Sequence, residues 1–124
     1  MVLAMGVMLL GGLGAMSRYL SDLGFSSVFG RRLPWGTMAV NILGSGLAGL
    51  ILGVTAYQHR SPTTAVLLLS GFLGGYTTAS TIAYEAARLA EGRRMLAAVG
   101  IVAGTMAGAI TAGGIGLAIG IAVR

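Results

Sequence analysis

Charged side chains divide this chain into four long uncharged stretches. The stretches are Met1–Ser17, Leu33–Gln58, Ser61–Tyr84 and Met95–Val123. A helix of about 20 apolar residues crosses the roughly 30 Å hydrocarbon core of a bilayer. The last three stretches reach that length as they stand. The first reaches it if Arg18, which follows it, extends its charged group to the membrane surface.

This pattern predicts an all-α membrane protein with a single domain, residues 1–124, and four transmembrane helices. The predicted helices are Val2–Leu20, Trp35–Tyr57, Pro62–Tyr84 and Met95–Val123. Aromatic side chains, which favour the membrane surface, lie at several of the predicted ends. These are Tyr19, Trp35, Tyr57 and Tyr84.

The composition agrees with a membrane protein and excludes several other classes. Hydrophobic residues make up 56% of the chain and charged residues only 9%, whereas soluble domains carry about 25% charged residues. The absence of cysteine excludes disulfides and thiolate chemistry, and one histidine with three acidic residues leaves no set of groups for an enzyme. The 22 glycines indicate closely packed helices. Several recur every four residues, at positions 49/53, 100/104/108 and 116/120.

The arginines predict the orientation of the chain in the membrane. Six lie in or beside the first and third loops, and two lie on the other side. The six are Arg18, Arg31, Arg32, Arg88, Arg93 and Arg94, and the two are Arg60 and Arg124. Because basic loops stay in the cytoplasm, we expect a multi-pass protein of the cell membrane with both termini outside. The same distribution explains the net charge of +5 without a nucleic-acid partner.

Asn41 is a polar residue inside the second predicted span. An amide in hydrocarbon costs about 2–7 kcal/mol if it has no hydrogen-bond partner, so this side chain must bond to something. It either joins two helices or lines a pathway for a polar solute. The pattern favours the pathway slightly and leaves both alternatives open.

A second polar cluster lies in the middle of the third predicted span. Residues 71–81 contain three glycines followed by four hydroxyl side chains. Glycine weakens a helix and Ser or Thr competes for its backbone groups, so the segment predicts a helix broken at its centre. Irregular backbone at that depth is tolerated where protein or a water-filled cavity covers it. The alternative is a continuous helix with a small-residue packing face.

Three motifs carry a family resemblance. They are Gly11-x-x-Gly14-Ala15-x-x-Arg18-Tyr19, Gly36-Thr37-x-x-Val40-Asn41-x-x-Gly44-Ser45 and Gly71-Phe72-x-Gly74-Gly75-x-Thr77-Thr78-x-Ser80-Thr81. In this order and spacing the chain resembles the Fluc (CrcB) fluoride channels. The resemblance implies an antiparallel, dual-topology dimer with two pores along the subunit interface, which pass fluoride and so lower cytoplasmic fluoride.

The resemblance also implies particular roles for six residues. A structural sodium ion would be held by the backbone carbonyls of Gly74 and Thr77. Fluoride would pass Asn41 and the hydroxyl groups of Ser80 and Thr81, because a strongly hydrated anion needs hydrogen-bond donors in place of its water. Arg18 corresponds to the basic residue near the family's aqueous vestibule.

The chain departs from the family pattern at two pore positions. Ala79 and Ile82 stand where the family has phenylalanine, and the fourth span has Thr105 and Thr111 but no Tyr or Ser. A dimer that inserts both ways also needs balanced arginines, which this chain lacks. Both observations favour one half of a heterodimer over a homodimer with an altered pore.

Two other functions remain as alternatives. The missing phenylalanines would suit a non-conducting structural subunit of such a channel. Small multidrug or cation exporters have a similar size and arrangement, but they need a membrane-embedded glutamate in the first span, and Met1–Ser17 contains no acidic residue.

Overall fold

A computed structural model describes residues 1–57 and 61–123 of the chain. Its helices are long and apolar enough to cross a membrane four times, at Val2–Phe29, Trp35–Ala56, Pro62–Glu91 and Met95–Ala122. No strand occurs within the described residues. The prediction of an all-α, four-span protein is therefore confirmed. Arg60 and Arg124, which entered the orientation argument, lie outside the described residues.

Within the described residues, seven helical elements make up the four spans. In chain order they are α1 (Val2–Phe29), α2 (Trp35–Tyr57), α3 (Pro62–Val66), a π-helical segment (Leu67–Leu73), α4 (Gly74–Tyr76), α5 (Ala79–Glu91) and α6 (Met95–Ala122). The third span consists of α3, the π-helical segment, α4 and α5.

Two helices continue beyond the ends that the sequence predicts. Helix α1 passes Leu20 and ends at Phe29, where Gly30 has a φ of 80°, a conformation that glycine adopts at low cost. Helix α5 passes Tyr84 and ends at Glu91. Charged residues end the apolar part of a membrane helix, but they do not interrupt its internal hydrogen bonds. The 28 residues of α1 span about 42 Å, more than the hydrocarbon core.

Helices α2 and α6 pack backbone against backbone. A side chain at Gly49 would overlap the carbonyl oxygen of Gly113, and one at Gly116 would overlap that of Gly46. The predicted packing role is therefore confirmed for Gly49 and Gly116. At Gly100 a β-carbon would meet no other helix of the described residues within 4 Å, so its packing role stays a prediction.

The third span is broken, as predicted, and the break follows α4. Thr77 (φ −88°, ψ 157°) and Thr78 (φ −155°, ψ 122°) are both extended. Helix α1 holds the preceding half of the span through close glycine contacts. A side chain at Gly75 would overlap the Gly11 carbonyl oxygen, and one at Gly14 would overlap that of Phe72. These contacts fix the position at which the extended residues begin.

Candidate functional site

The break leaves backbone groups without their usual helical partners. In a continuous α-helix the N–H of Thr78 would donate to the carbonyl oxygen of Gly74, four residues earlier. Instead, this N–H donates to Oδ1 of Asn41 at 2.7 Å. The Gly74 carbonyl oxygen thus loses its helical donor, which leaves both of its lone pairs to other partners.

Asn41 joins α2 to the break with three hydrogen bonds. Besides accepting from the Thr78 N–H, its Nδ2 donates to the Thr78 carbonyl oxygen at 2.8 Å and to the Thr37 carbonyl oxygen at 3.1 Å. The side-chain amide therefore pairs with both backbone groups of Thr78. An asparagine amide has two N–H groups, and both donate to protein here. The structure thus places Asn41 between helices, and its contact with an ion stays a prediction.

Hydroxyl groups cluster at the start of α5. The Thr78 Oγ1 lies 3.1 Å from Ser80 Oγ and 3.2 Å from Thr81 Oγ1. It also accepts the Thr81 N–H at 3.4 Å and so caps the helix. Ser80 is exposed on the outside of the single chain. The positive end of the helix dipole favours negative charge at this point, so the cluster can offer hydrogen-bond donors to an anion.

Helix α1 contacts the break from the other side. Arg18 is half-buried and its Nη1 donates to the Thr77 carbonyl oxygen at 3.4 Å. Close by, the buried Tyr76 hydroxyl donates to Ser21 Oγ at 3.2 Å. The structure therefore brings Arg18 to the break itself, within reach of a carbonyl that the family resemblance assigns to a sodium site. Its predicted place in a vestibule is not tested by these contacts.

The chemistry of the break fits a carbonyl-bound monovalent cation. Unwound membrane helices coordinate sodium through freed backbone carbonyls, and Gly74 provides one that has lost its helical donor. The Thr77 carbonyl has two lone pairs, one of which the Arg18 guanidinium approaches. Within residues 1–57 and 61–123, no group of three or more His, Cys, Asp or Glu side chains lies together.

A cavity of about 730 Å³ lies beside the break, between α2, the third span and α6. Asn41, Thr77, Thr78 and Ser45 contribute polar groups, and Ala79 and Ile82 form part of its wall. The cavity is larger at these two positions than it would be with phenylalanine. Thr105 also lines it, but its hydroxyl donates to the Ile101 carbonyl at 2.6 Å within α6.

Sequence reasoning missed two residues of this site. Thr78 is part of the third motif but has no predicted role, yet its backbone and side chain bond to Asn41, Ser80 and Thr81. Thr37 was likewise only a motif position, one helical turn before Asn41. The signal for both was their spacing: Thr37 lies four residues before Asn41, on the same helix face, and Thr78 is the fourth residue after Gly74.

The fold and the site define a small helical membrane protein of the transport class, because a broken helix places polar backbone at membrane depth. Residues 5–117 match the family described as CrcB-like protein, Camphor Resistance (CrcB). The chain belongs to this family.

Three relatives illustrate the match. A protein of Leifsonia xyli subsp. xyli named "Fluoride-specific ion channel FluC 1" is 39% identical over 96% of this chain and 87% of its own length. "Fluoride-specific ion channel FluC" of Nitrobacter winogradskyi is 37% identical over 83% of this chain and 85% of its own. "Fluoride-specific ion channel FluC 2" of Mycobacterium tuberculosis strain H37Rv is 42% identical over 76% of this chain and 71% of its own length.

Proposed function

We propose that this chain is a subunit of a fluoride-selective channel that lets fluoride leave the cell passively. The observation that carries this proposal is the family match. It covers residues 5–117 and so includes all three sequence motifs. Relatives named as fluoride-specific channels are similar to this chain over most of its length. The chain is not an enzyme.

The geometry supports a role for the hydroxyl cluster in conduction. Fluoride is small and strongly hydrated, so a pore must replace its water with hydrogen-bond donors. Ser80 and Thr81 carry hydroxyl groups at the positive end of α5; they do not line the cavity themselves, but the residues on either side of them in the sequence, Ala79 and Ile82, do. Asn41 faces the same cavity and holds Thr78 in place. We therefore assign Asn41, Ser80 and Thr81 to the fluoride pathway, with Arg18 near its aqueous mouth.

We further propose that the channel is an antiparallel dimer in the cell membrane, and that its second subunit is a homologous protein of opposite orientation. The chain has six arginines on one side and two on the other, which favours one orientation. Ala79 and Ile82 give a wall without the family's phenylalanines. A partner that retains those residues would complete one pore.

Fluoride efflux from liposomes tests the proposed function. We expect little fluoride release with this chain alone and rapid release, without chloride, when the oppositely oriented homologue is incorporated with it. A fluoride electrode and a chloride electrode give the two readings. Selective release by the chain alone would support the channel and contradict the heterodimer. No release in either preparation would favour the alternative that this chain is a non-conducting subunit.

A structural sodium ion at the break is part of the proposal. Gly74 and Thr77 would supply the carbonyl oxygens, and the ion would neutralise the negative ends of the freed peptide dipoles. We expect that replacing sodium with N-methyl-D-glucamine lowers fluoride efflux at least several-fold and lowers the melting temperature of the dimer. Potassium and lithium salts serve as controls for ionic strength. Equal flux and stability in all four salts would contradict the sodium site.

The orientation is testable because the chain contains no cysteine. A single cysteine at Ser27, near the end of α1, and another at Ser61, ahead of α3, would lie on opposite sides of the membrane. We expect a membrane-impermeant thiol reagent to label the Ser61 position in intact cells and the Ser27 position only after lysis. Equal labelling of both positions in intact cells would mean that the chain inserts in both orientations.

A further inference from the structure

A second cavity, of about 340 Å³, lies away from the break at the arginine-rich end of the protein. It is formed by the end of α1, the loop before α2, and α5. Its charged side chains are Asp22, Arg31, Arg32, Glu85 and Arg88. The proposed fluoride pathway gives no role to its two loop arginines.

The two acidic residues of this cavity have partners of their own. Glu85 lies 4.0 Å from Arg88, the one ion pair within the part of the chain that the structure describes. Asp22 Oδ1 accepts from the Thr37 hydroxyl at 3.5 Å. Neither acid is paired with Arg31, so this guanidinium is available to another anion.

The neighbourhood of Arg32 is equally rich in positive charge. Its backbone carbonyl accepts a hydrogen bond from Arg94 Nη1 at 3.3 Å, which brings a further guanidinium to the same end. Within the described residues, the Arg32 side chain forms no ion pair. Three guanidinium groups, those of Arg31, Arg32 and Arg88, therefore face two carboxylates in the cavity, and Arg94 lies close by.

Aromatic side chains flank the loop that carries Arg31 and Arg32. The Phe25 and Phe29 rings lie 6.3 Å apart, and the Phe29 and Trp35 rings 6.4 Å apart. Phe29 is 60% exposed and Trp35 is 39% exposed. Tryptophan is enriched at the headgroup level of a bilayer, and Trp35 is the first residue of α2, which favours a position of this loop at the membrane surface.

We propose that this cavity binds a phosphate group, that of an anionic phospholipid headgroup or of free phosphate, through Arg31 and Arg32. Guanidinium groups bind phosphate oxygens with paired, charge-assisted hydrogen bonds. Basic pockets between membrane helices on the cytoplasmic side are typical lipid headgroup sites. The site is independent of fluoride conduction and would anchor the arginine-rich end of the protein to one leaflet.

Native mass spectrometry of the full chain in detergent tests this site. The probes are phosphatidylglycerol, phosphatidylcholine of the same chain length, and inorganic phosphate. We expect phosphatidylglycerol to be retained in preference to phosphatidylcholine, and Arg31→Gln and Arg32→Gln each to reduce that retention about ten-fold. Competition by millimolar inorganic phosphate would identify free phosphate as a second source of the same group. Absence of competition would assign the site to the lipid headgroup.

Arg93→Gln is the matched control, because it removes the same charge near this end and Arg93 does not line the cavity. Equal loss of phosphatidylglycerol in all three variants would overturn the proposal, since net charge alone would explain it. Arg31→Lys keeps the positive charge but lacks the two-pronged guanidinium group. This variant is measured as well in case the glutamine variants do not fold. Full retention by Arg31→Lys together with Arg32→Lys would overturn the proposed paired contacts.

Discussion

Replacing Asn41 with alanine should lower fluoride efflux about ten-fold or more and destabilise the break. The variant removes three hydrogen bonds, of 2.7, 2.8 and 3.1 Å. It leaves the N–H and the carbonyl of Thr78 without their protein partner. A buried polar group without a partner costs about 1–3 kcal/mol, and about 1.4 kcal/mol already corresponds to a factor of ten. Efflux from liposomes that contain the complete channel gives the measurement.

Ser45→Ala is the control, because Ser45 lies one helical turn further along α2 and lines the same cavity. We expect it to leave efflux nearly unchanged. Hydrogen exchange of the Thr78 amide then separates two roles for Asn41. Faster exchange together with lost efflux would mean that Asn41 positions the break. Lost efflux with unchanged exchange would mean that Asn41 acts on the ion directly, and unchanged efflux would remove it from the pathway.

Replacing Gly116 with valine should have the largest effect on stability. Its new side chain would overlap the carbonyl oxygen of Gly46 on α2, and a backbone atom cannot rotate away as a side chain can. Overpacking in a dense interior typically costs about 1–3 kcal/mol, and occasionally more. We expect a melting temperature lower by several degrees in detergent and a loss of monodisperse protein in size-exclusion chromatography.

Gly114→Val is the matched control on the same helix. Its new β-carbon would meet no atom of another described helix within 4 Å, so this variant tests the cost of a β-branched residue in α6 without the overlap. It should behave almost as the parent protein. If both valine variants were equally unstable, helix propensity would explain the loss and the close α2–α6 contact would not.

The sequence predicts the four spans well because the bilayer imposes a simple rule on them. Uncharged stretches of sufficient length must become helices in hydrocarbon, and residues 35–57 and 95–122 follow that rule nearly to the residue. The ends of α1 and α5 do not follow it. Outside the hydrocarbon the helix continues on its own hydrogen bonds, so hydropathy carries no signal for where it stops.

The sequence predicts which residues make up the site, but it does not predict which of them form hydrogen bonds with one another. The glycines and hydroxyls of residues 71–81 indicate a break, and its position after Tyr76 agrees with them. The bonds between Asn41 and Thr78 depend on how α2 and the third span approach each other. That approach is set by glycine contacts along α1 and α2, which no local pattern records. The contact from Arg18 to Thr77, 59 residues apart, has the same origin.

The π-helical segment at Leu67–Leu73 bears on how the third span tolerates changes in its length. A π-helical turn holds one more residue than an α-helical turn between hydrogen-bonded groups. Deleting one residue elsewhere in a membrane helix rotates everything beyond it by about 100°. A deletion within Leu67–Leu73 can instead be absorbed by conversion to an α-helix, which leaves the residues beyond it in their original orientation. One residue of this segment can therefore be deleted while the break keeps its orientation toward the residues that contact it.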